Sequence, residues 1–297
     1  MPSTDANRES WGIEYGWPEG GDEWSSYWGS ARAQWEGCLL PRIFPFLGGR
    51  ILEIATGHGR WTQFLQSYST SLIGIDIAPS CIERCKERFR GYKNLEFHVN
   101  DGLKLPMVDD ASIDFAYSFD SLVHAEADAV SSYVNELARV LKPNAVAFIH
   151  HSNFAGNSKT IWSKVGRGFV VIRTTDFATI RQALRSKVKS NPSGVGTPHW
   201  RGRSMSAAKM REFAERSGMS CLQQELITWG HNPSLLLDCM SILVRRPGSE
   251  CAVMENYQFM NEAARIKRIS SYLQSAEGKA TASAEHGSEV EAEVRSK

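Results

Sequence analysis

The stretch Ile51-Leu52-Glu53-Ile54-Ala55-Thr56-Gly57-His58-Gly59-Arg60 decides the fold. An apolar run passes through an acid into a turn of small residues, and a helical pattern, Arg60–Tyr68, follows it. Gly57 and Gly59 carry no side chain, so a ligand approaches the backbone closely at this turn. A dinucleotide fingerprint requires G-x-G-x-x-G. Ala55 stands at the first of those glycines and Arg60 where the third would pack, which disfavours a dinucleotide. No G-x-x-x-x-G-K-[ST] run is present, which excludes a P-loop.

Outward from this turn the chain alternates strand and helix. Ser71–Asp76 reads as a strand ending in an acid, and Pro79–Phe89 as a helix with proline at its start. Leu95–Val99 and Ile113–Phe119 read as strands, Glu126–Leu141 as an amphipathic helix, and Ala145–Ile149 as a buried strand. Such alternation predicts parallel βαβ units in a doubly wound α/β sheet. Ser204–Arg216 reads as a helix closed by Gly218. Met219–Trp229 and Leu235–Arg245 read as two long strands around a turn at His231-Asn232-Pro233.

The turn and the strand-end acids together resemble motif I and its companions in the class I S-adenosylmethionine-dependent methyltransferases. Motif I stands here as Glu53-x-Ala55-x-Gly57-x-Gly59. Asp76 follows 23 residues later, Asp101 sits in Val99-Asn100-Asp101-Gly102, and Ser118-Phe119-Asp120 ends the fourth strand. The resemblance implies a Rossmann-like sheet of seven strands, mostly parallel, with an antiparallel last strand. It implies S-adenosyl-L-methionine as cofactor, held by Glu53, Ala55, Gly57, Gly59, Asp76, Ile77, Asp101, Gly102 and Phe119. Asp76 alone also fits a helix cap; the ordered set is what carries the cofactor reading.

Methyl transfer to an alcohol requires a base within hydrogen-bond reach, because a hydroxyl is a poor nucleophile until its proton leaves. Asp120-Ser121-Leu122-Val123-His124 follows the fourth strand and His150-His151-Ser152-Asn153 the fifth. Open α/β sheets bind ligands at such strand ends. His124 is the first candidate base, with Asp120 to orient it; a capping role ahead of the next helix is the alternative. Of His150 and His151, strand alternation sends one inward and one to the opposite face. A metal site from Asp120, His150 or His151 with His199 or His231 has no supporting ligand spacing, and none is expected.

Flanking segments bear on the acceptor. Five of the nine tryptophans (Trp11, Trp17, Trp24, Trp28 and Trp35) fall in residues 1–45. Either they anchor that segment to the domain or the segment is a flap over a pocket. Residues 155–203 hold ten Lys or Arg and one acid, Asp176, in a chain whose net charge is +1. Read as a cap insertion between the fifth strand and the next helix, they suit a phosphate-bearing acceptor; read otherwise, they are a solvated helical face. The runs 119–128, 148–153 and His199-Trp200-Arg201 are similar to methyltransferases found with bacterial polysaccharide-assembly enzymes. That similarity implies a sugar hydroxyl on a glycan, lipid-linked saccharide or nucleotide sugar. N- or O-methylation of a small secondary metabolite is the alternative.

The organisation expected is a flap over 1–45, a methyltransferase domain over 46–248, a C-terminal helix over 249–275 and a disordered tail over 276–297. The helical pattern near 255–274 suits assembly of copies or a scaffold role. The near-neutral charge and the absence of N/D-P-P-Y/F, with Ser118-Phe119-Asp120-Ser121 in its place, argue against nucleic-acid partners. No apolar run nears the ~20 residues of a membrane span, and no targeting segment is visible, which points to the cytoplasm. Six cysteines without a C-x-x-C pair read as free thiols.

Overall fold

A computed structural model of the chain describes residues 3–157, 201–229, 235–248 and 250–273. Most of the basic segment, the His231-Asn232-Pro233 turn and the 276–297 tail lie outside the described residues. Among the described residues eight strands form one sheet: β1 Arg50–Ile54, β2 Ser71–Asp76, β3 Leu95–Val99, β4 Ile113–Ser118, β5 Leu141–Ser152, β6 Ser220–Ile227, β7 Asp238–Val244 and β8 Ala252–Asn256. Their order is β3-β2-β1-β4-β5-β7-β6-β8. β7 pairs antiparallel with both β5 and β6, and the remaining pairings are parallel. The strand order reverses between β1 and β4, which opens a crevice at their C-terminal ends.

Both faces of the sheet are covered, which is why β1, β2 and β4 are nearly continuous apolar runs. On one face lies Ala127–Val140. Its Val130, Val134, Leu137 and Val140 recur at helical spacing and are buried with Met210, Phe213 and Ala214 of Ala207–Arg216. On the other face Trp28, Trp35, Cys38, Leu39 and Ile43 pack with Trp61, Tyr117 and Phe148. Ser206 caps Ala207–Arg216 by accepting from the Lys209 N–H at 3.2 Å, and Gly218, at φ 73°, follows its end.

The eighth strand corrects the expected seven, and with it the helix expected over 249–275. The β6–β7 hairpin leaves the outer edge of β6 open, and Ala252–Asn256 fills it with a parallel ladder from Gln223↔Ala252 to Ile227↔Asn256. Helix begins only at 259 and runs through 273. Helical periodicity in the sequence carries no information about that vacant edge. Phe259 and Ala263 are buried against the N-terminal segment. Arg42 fastens the same contact, donating to both carboxylate oxygens of Glu225 (2.8 and 2.9 Å) and of Glu262 (2.9 and 3.0 Å).

Candidate active site

The turn after β1 places Ala55 at φ 61°, Gly57 at φ 54° and Gly59 at φ 83°. Ala55 costs about 1 kcal/mol more than glycine would in that conformation. The two glycines serve different ends. A Cβ on Gly57 would come within 2.7 Å of the Trp17 ring, and one on Gly59 within 2.5 Å of Phe89. The Asp76 carboxylate ties the turn to the end of β2, accepting the Gly57 N–H at 2.9 Å and the Ala78 N–H at 2.9 Å. Gly102, at φ 81°, leaves room for Thr4, whose Cγ2 a Cβ would approach to 2.5 Å.

A cavity of about 1500 Å³ opens at these strand ends. Of the residues expected to hold the cofactor, Ala55, Gly57, Asp76, Ile77, Gly102 and Phe119 line it. Glu53, Gly59 and Asp101 stand back from it. Glu53 is buried and accepts the Thr62 hydroxyl at 2.6 Å. Asp101 is exposed and folds onto its own loop, accepting from the Leu103 and Lys104 N–H groups at 2.8 and 2.7 Å. The lining suits S-adenosylmethionine: a turn of small residues whose backbone reaches the cavity, and a buried carboxylate, Asp76, able to accept from vicinal hydroxyls.

Burial pushes the Glu53 carboxyl up to about 8, against the hydrogen bond from Thr62. An acid whose folded pKa lies above its unfolded value loses stability as pH rises from near 4.5 to 8. The Glu53→Gln variant should escape that loss. Urea unfolding at pH 5 and pH 8.5 should show the variant gaining on the wild type by a few kcal/mol between the two. An unchanged difference would mean that Glu53 ionises freely in the fold.

Residues 3–27 close the cavity from the far side. Trp11, Trp17, Trp24 and Tyr27 line it. Trp17 stacks on His58 at 4.5 Å and donates its Nε1–H to the Trp11 carbonyl at 2.8 Å. Trp11 lies 5.1 Å from the His124 ring. Asn7 donates to the His124 carbonyl at 3.1 Å and Arg8 to the Ile77 carbonyl at 3.3 Å. Trp28 and Trp35 instead sit in the core, against Trp229 and Phe259, and against Phe64. Trp11, Trp17 and Trp24 thus line the cavity, and Trp28 and Trp35 belong to the core.

Past β4, Asp120 adopts φ 63° and lines the cavity with His124, which lies on the short helical turn Leu122–His124. Arg60 donates to Asp120 at 2.8 Å with both side chains largely buried. Burial alone would raise the Asp120 carboxyl; Arg60 and then His150 more than reverse this, so it stays ionised. The Asp120 backbone N–H donates to His150 Nδ1 at 3.1 Å, and Phe119 stacks on the His150 ring at 4.5 Å. His150 is fully buried and does not line the cavity; its ring nitrogen meets the Asp120 backbone beneath the loop. His151 points to the other side, with Nε2 at 2.8 Å from Ser241 Oγ and Nδ1 at 2.9 Å from the Ser152 carbonyl. Burial lowers its pKa to about 4, so it stays neutral and structural. Among the candidate bases, only His124 reaches the cavity.

The sequence assigns no site role to Arg60, Asp238 or Trp229, and names Arg201 only within the run His199-Trp200-Arg201. Arg201 donates Nε and Nη2 to Asp238 at 2.7 and 2.8 Å. This forked pair joins the chain returning from the basic segment to β7. Gly202 packs so tightly that a Cβ would fall on the Ala125 carbonyl oxygen, and its N–H donates to the Val123 carbonyl at 2.8 Å. The pair and this contact seat residues 201–204 against the His124 turn. Arg60 immediately follows Gly59, and that adjacency was the available signal.

Residues 51–144 match the protein family described as "Methyltransferase domain". The chain is 29% identical over 126 residues to phosphoethanolamine N-methyltransferase 1 of Triticum aestivum, covering 41% of this chain and 25% of that protein. It is 31% identical over 118 residues to phthiotriol/phenolphthiotriol dimycocerosates methyltransferase of Mycobacterium leprae (strain TN), covering 37% and 41%. The chain thus spans between a quarter and two fifths of the length of these relatives. A solved SAM-dependent methyltransferase from Methanosarcina mazei superposes with a TM-score of 0.48 at 19% identity, over 70% of this chain and 98% of that one. The segment 51–144, which carries the Gly57 turn, Asp76, Gly102, Asp120 and His124, is the part of the chain that matches the methyltransferase domain.

Proposed function

We propose that the whole chain is a methyltransferase that methylates a hydroxyl group, with His124 as general base and a sugar ring as the acceptor. The observation that carries this reading is one cavity shared by the cofactor-side residues Ala55, Gly57 and Asp76, by His124, and by an aromatic wall of Trp11, Trp24, Tyr27 and Trp229. When bound, S-adenosylmethionine supplies a methyl group on a sulfonium centre. The chain's own residues do the rest. The aromatic wall offers apolar faces to a sugar ring and excludes water. The Arg60–Asp120 pair fixes the loop that carries His124. The neutral His124 imidazole takes the hydroxyl proton as the new bond forms. Arg203, exposed on the cavity rim, offers a cation to a phosphate on the acceptor.

The test is transfer of a tritiated methyl group from the cofactor to separate pools of nucleotide sugars, lipid-linked saccharides, phenols and primary amines. Label in the saccharide pools supports the reading. Label confined to amines overturns it and favours N-methylation, the activity named for the wheat relative.

Removing residues 1–24 tests the N-terminal wall and leaves the Trp28 and Trp35 anchors in place. Thr4 lies against Gly102, Arg8 bonds Ile77 and Trp17 covers Gly57, so cofactor and acceptor binding should both weaken. Calorimetry should show the cofactor Kd rising about tenfold or more, as expected when two or three contacts of ~1 kcal/mol are lost. An unchanged Kd would restrict the segment to the acceptor.

A further inference from the structure

The cysteines on the far side of the sheet from the N-terminal segment carry an inference that does not depend on the methyl-transfer reading. Cys221, on β6, and Cys251, just before β8, have their sulfurs 3.4 Å apart. They lie 30 positions apart in sequence and meet because β8 adds to the open edge of β6 with Gln223 opposite Ala252. A register irregularity between Cys221 and Gln223 falls at this point. The two thiols differ in access: Cys221 is buried and Cys251 half-buried. The other four cysteines are buried, and Cys239 is the third thiol in this region, with its sulfur 3.6 Å from the Ser241 hydroxyl.

We propose that Cys221 and Cys251 form a dithiol site that a low-molecular-weight disulfide oxidises to an intrachain disulfide. Cys251 is the attacking thiol, because it is the more exposed residue of the two. Its thiolate attacks one sulfur of the oxidant, forming a mixed disulfide and releasing one thiol. The Cys221 sulfur then attacks Cys251, forming the internal bond and releasing the second thiol. Two protein thiols and one small disulfide become one protein disulfide and two small thiols, so atoms and electrons balance. The sulfurs must approach by roughly a further 1.4 Å to reach bonding distance, a movement within the reach of side-chain rotation.

The loop this bond closes contains β7, with Asp238, and the cavity residues Trp229 and Leu237. It also anchors β8, from which the chain continues into the 259–273 helix that packs on the N-terminal segment. Oxidation therefore staples one wall of the cavity and the root of the C-terminal helix in a single step.

The experiment incubates the full chain with excess oxidised glutathione, then unfolds it, alkylates free thiols and maps peptides by mass spectrometry. The expected result is a linked pair of peptides carrying Cys221 and Cys251, two fewer alkylated thiols, and a Tm raised by about 5–10 °C. In Cys221→Ser, the resolving thiol is absent and glutathione should remain trapped on Cys251. In Cys251→Ser, no thiol should be lost. A melting transition in each variant shows that it folds. The proposal is overturned if both cysteines stay fully alkylated in the oxidised wild type, if Cys251 instead links two chains, or if glutathione trapped on Cys251 in the wild type never resolves.

Discussion

Replacing His124 by alanine will lower kcat by about 10²–10⁴-fold, the range for loss of a positioned base. The affinity for S-adenosylmethionine should stay largely unchanged, because Asp76, the Gly57 turn and Gly102 hold the other end of the cavity. The wild-type rate should rise with pH as the imidazole loses its proton, and the variant should lack that rise. The other two candidate histidines define the controls. His150 acts through the Asp120 backbone, so His150→Ala should lower kcat by loosening the loop while the pH dependence survives. His150→Asn, which keeps an acceptor for the Asp120 N–H, should recover part of the loss. His151→Ala should alter stability and leave the pH profile alone. If His124→Ala keeps a normal kcat and pH profile with an alcohol acceptor, another group takes the proton and the base assignment is wrong.

The second large effect is on stability. Asp238 is 0% exposed and the Arg201 side chain 9% exposed, and their two hydrogen bonds are the forked arrangement that suits a guanidinium and a carboxylate. Asp238→Ala leaves that guanidinium buried without its carboxylate and should cost about 3–5 kcal/mol in urea unfolding. Adding Arg201→Met removes the stranded charge and should recover most of the loss, since an apolar pair of similar volume is often near neutral. Burial would raise the Asp238 carboxyl, and Arg201 overrides this to hold it well below the usual range. A depressed folded pKa gives stability that is present above the unfolded value, near 4, and is lost as pH falls below it. The single variant should therefore differ most from the wild type at neutral pH and progressively less under acid. A single-variant cost under about 1 kcal/mol would mean that water reaches Arg201 freely.

Much of the domain was legible because its signals are local. Glu53-x-Ala55-x-Gly57-x-Gly59 after an apolar run, and acids after β2 and β3, are fixed by neighbours in the chain, and the turn, Asp76 and Gly102 fall at the cavity as expected. Strand alternation similarly placed the core helices and the β6–β7 hairpin. The candidate residues that stand back from the cavity share a different cause. Asp101 satisfies its own loop, and whether an acid at that position turns outward depends on Leu103 and Lys104 rather than on the strand before it. His150 and His151 are adjacent and chemically alike; only the packing of Phe119 and Asp120 on one side and Ser241 on the other assigns them different work.

The sequence by itself determined the parallel α/β frame, the cofactor turn and the strand-end position of His124, because each depends on short-range backbone demands: small residues where φ is positive, apolar runs where both faces are covered. The tertiary structure alone decided the eighth strand, the Arg60–Asp120 and Arg201–Asp238 pairs, the division of the tryptophans between core and cavity, and the meeting of Cys221 with Cys251. The strand, the two ion pairs and the thiols join groups 29 to 60 positions apart in sequence, and the tryptophans share one segment between two environments. Such contacts form only when sheet edges and cavity walls close, and no periodicity or motif in the chain encodes which distant charge, ring or thiol will be opposite.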